Sequence, residues 1–231
     1  MLDTRGIDHR LHPLGEKAVS PMRIVIFGST GMGGKAALTS AIGRGHDVTV
    51  LARSEAAAAK APKGTRVVLG DALDPAAVRE ALKGTDAVVQ YLGVGGLGDG
   101  RPNDLVPDAT RLIVAEMAAQ NIRRLVCASN VGVPGSAPFF VRRILLPLVA
   151  RKLLPILDAK VKMEAILRAS NREWTAVRLP ALNEKPRKKT LKVSAEGRST
   201  GFSITTADAA DFMLDIIEKR QFVDVTVAIS N

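Results

Sequence analysis

The chain has little of what metal sites, disulfides and aromatic stacking surfaces require. One cysteine, Cys127, in 231 residues excludes a disulfide framework and any cysteine-cluster metal site, and it suits a reducing compartment. Two of the three histidines, His9 and His12, lie near the N-terminus, so no set of nitrogen and sulfur ligands converges and no metal is expected. Residues 1–21 contain no apolar run of the kind that makes a signal peptide or an anchor, and their charges cancel: Arg5, Arg10 and Lys17 against Asp3, Asp8 and Glu16. They are expected to form a poorly ordered N-terminal extension, with Met22 an alternative start and a cytoplasmic location as the default.

The charge is abundant but unevenly placed. Of 33 Lys plus Arg and 23 Asp plus Glu, residues 142–198 hold 15 and 5, which leaves the remainder balanced at 18 against 18. A basic segment of this kind attracts nucleic acid, anionic lipid or a phosphate-bearing ligand, or is simply a solvated surface. Trp174 is its only aromatic residue, so it supports sequence-independent phosphate contact at most and no specific nucleic-acid partner is expected.

Runs rich in Val and Ile occur at Arg23–Phe27, Asp47–Leu51, Arg66–Leu69, Asp86–Tyr91, Arg124–Ala128 and Thr175–Leu179. They are nearly continuous rather than alternating, as strands buried on both faces are. Helical patterns lie between them, one opened by the N-cap pair Asp74-Pro75 and another running from Leu105 to Asn121. A short strand is expected at 189–194, a helix at Thr206–Glu218 and a last strand at Val225–Ile229. This alternation specifies βαβ units with right-handed crossovers. The predicted fold is α/β: a Rossmann-type doubly wound parallel sheet in three α/β/α layers, a single domain over residues 22–231.

The stretch "FFVRRILLPLVARKLLPIL", residues 139–157, is apolar and basic. Arg142-Arg143 and Arg151-Lys152 are nine positions apart and fall on opposite sides of a helix, and Pro147 is expected to interrupt the run. It therefore reads as a broken helical cover over the substrate end of the sheet, without a transmembrane segment.

Gly28, Gly31 and Gly34 form G-x-x-G-x-x-G between a strand and a helix. In that setting Gly28 permits the tight turn, Gly31 lets the backbone approach a pyrophosphate, and Gly34 permits close packing, while the helix N-terminus presents its N–H groups to the anion. After the second strand stands Arg53, where an NAD-binding site has a carboxylate. A guanidinium, with the Ser54 hydroxyl beside it, suits a 2′-phosphate and so NADP(H).

These features, with "GDALD" at 70–74, "ASN" at 128–130 and "EWTAVRLPAL" at 173–182, resemble the atypical short-chain dehydrogenase/reductase group. Within it the chain is similar to single-domain NAD(P)H-binding proteins that include flavin reductase (biliverdin-IXβ reductase), with NmrA-like regulators as more distant kin. The resemblance implies that Ser29, Thr30, Gly31, Met32 and Gly33 line the pyrophosphate and that Arg53 and Ser54 meet the 2′-phosphate. It places Asp71 and Ala72 beside the adenine, Leu92 and Gly93 beside the ribose, Ser129 and Asn130 near the nicotinamide, and Pro180, Ala181 and Leu182 on the other side.

Typical members of the wider superfamily reduce ketones with Tyr-x-x-x-Lys. Here Lys160 stands at the lysine's place, to orient the ribose, but Ile156 occupies the tyrosine's; the alternative register, Lys162, puts Asp158 there. The one tyrosine, Tyr91, is a candidate acid or a packing residue. Without a phenol a developing alkoxide lacks its partner, whereas an extended conjugated acceptor spreads the charge and takes its proton from solvent. The expected activity is therefore NADPH-dependent hydride transfer to a small planar acceptor of the flavin, quinone or tetrapyrrole type, with Ser129 and Lys160 at the reacting end, in a monomer or homodimer. The alternative is a non-catalytic NADP(H)-sensing regulatory protein. The loop 93–104 reads as permissive backbone beside the nicotinamide, Asp208, Asp211 and Asp215 as a solvated helix face, and Cys127 and Trp174 as packing.

Overall fold

The computed structural model describes residues 20–93, 101, 104–133, 136, 146–188 and 190–231, with backbone alone for 146–151. Its elements are β1 (Arg23–Phe27), α1 (Met32–Gly43), β2 (Asp47–Ala52), α2 (Glu55–Ala58), β3 (Arg66–Leu69), α3 (Pro75–Ala81), β4 (Ala87–Gln90) and α4 (Leu105–Ala119). Then follow β5 (Arg124–Asn130), α5 (Leu146–Arg168), β6 (Glu173–Leu179), β7 (Ala181–Asn183), β8 (Lys192–Ser194), β9 (Ser203–Thr205), α6 (Thr206–Glu218) and β10 (Val225–Ser230).

The strand order is β3-β2-β1-β4-β5-β6-β10-β8, and every pairing is parallel except that of β10 with the edge strand β8. β1 pairs with β2 on one side and β4 on the other, Val25 facing both Thr49 and Val88. The order reverses there, which opens a crevice at the carboxyl ends of the strands. Within β1, Ile24 and Ile26 face a core shared with Leu38 of α1 and Met213 of α6; Val25 and Phe27 face one shared with Val78, Ile113 and Met163 of α3, α4 and α5. Each such fully buried side chain contributes about 1.5–3 kcal/mol, which is why a continuous apolar run specifies a central strand in this fold.

Asp74 caps α3 by accepting from the Ala76 N–H, with Pro75 in the first turn, and Thr205 caps α6 by accepting from the Asp208 N–H. The described part of α5 runs unbroken from Leu146 past Pro147 and Pro155 to Arg168, and a break between Arg142-Arg143 and this helix turns on residues 139–145. The expectations for 139–145, for most of the loop 93–104 and for residues 1–19 lie outside the described residues. Among the described residues no helix is long and apolar enough to cross a membrane. The short strands β7 and β9, which pair in parallel beyond the end of β6, carry no periodic signal and escape the sequence reading.

Candidate cofactor and reaction site

The turn from β1 into α1 is built on glycines, and for three of them the protein's own atoms explain why. Gly28 has φ +82°, and a Cβ there would lie 2.7 Å from the Tyr91 carbonyl carbon and oxygen. A Cβ on Gly34 would lie 2.1 Å from the Gly28 oxygen, and one on Gly33 2.6 Å from the Tyr91 ring. Gly31 differs: a Cβ would meet only the Gly28 oxygen, at 3.6 Å, an ordinary contact. Gly31 is also the N-cap of α1, no side chain caps that helix, and its first turn carries no acidic residue. Open space over uncapped N–H groups is what a pyrophosphate requires. Thr30 and Met32 are exposed at this turn, while Ser29 is buried.

Arg53, just after β2, is exposed and makes no hydrogen bond or ion pair with any described residue. Ser54 caps α2 by accepting from the Ala57 N–H at 3.2 Å, which leaves its own hydroxyl proton available. After β3, the Asp71 carboxylate accepts from the Leu73 N–H at 2.9 Å and stiffens the turn. Ala72 is buried in the core.

On the other side of β1, Lys160 of α5 is 8% exposed, and its Nζ donates to the carbonyls of Ala128 at 2.8 Å and Leu92 at 3.0 Å. It thereby joins the ends of β5 and β4. Burial lowers its pKa to about 8, against the opposing pull of Cys127 and Glu164. Lys162 points outward and pairs with Asp104 and Asp158, so Lys160, with half-buried Ile156 one turn earlier, is the inward register. Gly93 is exposed, with no atom of the described residues within 4 Å of its Cβ position. Asn130 accepts from the Gly132 N–H at 2.8 Å and shapes the turn after β5. Pro180 is buried, Ala181 exposed, and Leu182 reaches back to the glycine turn, its Cδ1 3.3 Å from where a Gly33 Cβ would lie.

Tyr91 is not placed as a proton donor. Its ring lies against Gly33, its hydroxyl is buried without a hydrogen-bond partner among the described residues, and burial, with the charge of Asp211, raises its pKa. Cys127 is likewise enclosed, its thiol pushed up to about 12 by burial.

Ser129 has charged partners at this site that carry no motif and were missed in sequence. The Ser129 Oγ donates to Glu164 Oε1 at 2.7 Å, and Arg178 of β6 grips the same carboxylate through Nε at 2.9 Å and Nη2 at 2.8 Å. Arg168 adds a bond to Oε2 at 2.9 Å. Burial pushes the Glu164 carboxyl up, but the bonds from Arg178 and Ser129 and the charges of both arginines outweigh it and hold its pKa below the ordinary value. Two signals were available: a glutamate four residues after Lys160 in the same helix, and an arginine inside the apolar run "TAVRL".

Two expectations about charge are corrected. The basic segment is not one solvated face, because Lys160 and Arg178 are interior and Arg168 and Arg187 pair with Glu164 and Asp211. Nor are Asp208, Asp211 and Asp215 one free solvated face: Asp208 is 4% exposed and takes bonds from Thr205 and the Lys188 N–H, Asp211 binds Ser40 and Arg44, and Asp215, its side chain 41% exposed, binds Arg44. Apart from Thr205 and Lys219 at the two ends of α6, these partners lie at α1 and on the segment after β7, beyond a reading of α6 alone. A groove of about 670 Å³ at the opposite, amino-terminal edge of β6 and β10, lined by Arg123, Arg172 and Trp174, holds none of the expected site residues.

A doubly wound sheet with an uncapped glycine turn at its switch point defines a Rossmann-type NAD(P)-binding protein. The sequence model of the NAD(P)H-binding family matches residues 28–220, and the chain belongs to that family. Solved structures share the fold. A short-chain dehydrogenase/reductase from Veillonella parvula DSM 2008, in complex with NADP, is 17% identical with a TM-score of 0.76, over 91% of this chain and 94% of that one. The anaerobilin reductase ChuY from Escherichia coli O157:H7 is 19% identical with a TM-score of 0.76, over 90% and 96%. A Streptococcus pneumoniae TIGR4 protein provisionally named an NADH-flavin reductase is 21% identical with a TM-score of 0.73, over 91% and 99%.

Proposed function

We propose that the protein is an NADPH-dependent reductase that transfers hydride to a planar conjugated acceptor of the flavin, quinone or tetrapyrrole type. The observation that carries this reading is the combination at α5: Lys160 is buried at the ends of β4 and β5, while Ile156 stands one turn before it and the one tyrosine is packed beneath Gly33. A site that positions a cofactor but offers no phenol suits substrates that need no built-in acid.

In this reading the turn Gly28–Gly34 holds the pyrophosphate, Arg53 and Ser54 take the 2′-phosphate, and Asp71 and Ala72 border the adenine. Leu92, Gly93 and Lys160 serve the ribose, with Ser129, Asn130, Pro180, Ala181 and Leu182 around the reacting ring. The bound cofactor supplies the hydride; the protein's residues bind, orient and exclude water. NADPH, a proton and the oxidised acceptor give NADP⁺ and the dihydro product, the proton coming from solvent. The names of two fold neighbours, an anaerobilin reductase and a flavin reductase, point to the same substrate classes.

The test is NADPH absorbance on addition of FMN, riboflavin or a quinone. Turnover with at least one, with NADPH preferred to NADH, is expected. Retained NADPH binding with flat absorbance for every acceptor would overturn the reading in favour of a sensor.

A further inference from the structure

We propose that the buried Glu164–Arg178 pair fixes Ser129 as a hydrogen-bond acceptor, so that the substrate presents an N–H to it: a flavin or pyrrolic heterocycle rather than a quinone. This deepens the reductase reading and rests on it. Glu164 is 1% exposed and receives four bonds, from Arg178 Nε and Nη2, Arg168 Nη2 and Ser129 Oγ. Arg178 is itself fixed by the Gly197 carbonyl, at 3.1 Å. A carboxylate held by two guanidiniums is ionised and has no proton of its own. The hydrogen in the 2.7 Å contact between Ser129 and Glu164 is therefore the serine's.

A hydroxyl has one hydrogen, so Ser129 has only lone pairs left for the crevice. It cannot stabilise a developing oxyanion, the role a hydroxyl plays in carbonyl reduction, because that role needs a donor. It can take an N–H, and the lactam, pyrrole or flavin imide groups of the proposed acceptors carry one where quinones do not. Glu164 and Arg178 are positioning residues: they touch no substrate and act through the direction of the Ser129 O–H.

The experiment compares lumiflavin, whose one N–H donor is the imide, with 3-methyl-lumiflavin, which has none, and with menadione, each reduced by NADPH. Wild type is expected to favour lumiflavin over its methyl derivative at least about tenfold in kcat/KM, as a site that binds a donor discriminates against the analogue without it. In Glu164→Gln, the side-chain amide donates to Ser129 and frees its O–H for the crevice. The preference should fall below about threefold and menadione should gain relative to lumiflavin, with NADPH affinity by fluorescence titration changed less than about twofold. This variant keeps the bulk of Ser129 and so separates hydrogen bonding from steric fit. Should it fail to fold, Ser129→Ala, which leaves Glu164 with both arginines, is expected to lose the preference as well. Equal rates for the two flavins in wild type, a preference that survives both substitutions, or turnover of menadione without either flavin overturns the inference and leaves the reductase reading standing. Failure of wild type to reduce any acceptor overturns both.

Discussion

Lys160 Nζ donates to the Ala128 carbonyl at 2.8 Å, so a buried ammonium on α5 is tied to the last turn of chain in β5 before the proposed reaction site. Burial brings its pKa from an ordinary 10.5 to about 8. Between those values the unfolded chain binds more protons than the folded one, so this group's contribution to stability rises with pH across that window. Cys127, pushed up from 9.0 to about 12, acts in the opposite direction above pH 9, which makes pH 7 to 9 the informative range. Lys160→Met removes the charge; its melting temperature relative to wild type is expected to fall by about 2–4 °C from pH 7 to pH 9. A constant difference would mean that Lys160 does not titrate there.

Arg178 and Glu164 make a prediction of the same sign at acid pH. The folded carboxyl titrates below its ordinary 4.5, so its stabilisation is present above that value and is lost as pH falls through the lower folded value. Arg178→Leu leaves a buried carboxylate with Arg168 as its one guanidinium partner, which costs about 3–5 kcal/mol near neutral pH. Denaturant unfolding should show the gap to wild type narrowing below pH 5, where protonation relieves the mutant first. A gap independent of pH would assign the loss to packing.

Gly34 and Gly31 separate folding from binding. Gly34→Ala forces a methyl against the Gly28 carbonyl, 2.1 Å away, and should cost about 1–3 kcal/mol or more by thermal denaturation. Gly31→Ala meets no such contact and has ordinary backbone angles, so stability should change by less than about 1 kcal/mol. Cofactor affinity should nevertheless fall, because the methyl occupies the open space above the helix N-terminus. Unchanged affinity in Gly31→Ala would remove the pyrophosphate from this turn.

Arg53 makes no hydrogen bond or ion pair with any described residue, so its removal should leave folding alone. Titration of Arg53→Ala is expected to show NADPH binding weakened by about 1.5–3 kcal/mol and NADH binding little changed, as for the loss of a charge-assisted bond. Equal losses would sink the assignment of the 2′-phosphate.

The fold was legible because its signals are local. Arg23–Phe27, Arg66–Leu69 and Thr206–Glu218 have the same bounds in sequence and structure: the strands are β-branched and apolar, and the helix carries Phe212, Met213, Ile216 and Ile217 on one face.

The site was legible in part. Glycine spacing and Arg53 stand beside strand ends, so their places follow from the strands. The long-range side-chain bonds do not, since Ser129 and Glu164 are 35 residues apart, Lys160 and Leu92 are 68, and Ser40 and Asp211 are 171.

By itself, then, the sequence determined a doubly wound α/β sheet with a nucleotide turn, because apolar period, caps and glycine spacing act over a few neighbouring residues. The tertiary structure alone decided which way hydroxyls and charges point. Glu164 becomes an ionised partner of Ser129, Tyr91 becomes a buried phenol and Asp211 joins an ion pair only when distant segments meet, and the cost of burying an unpaired charge dictates which of them do.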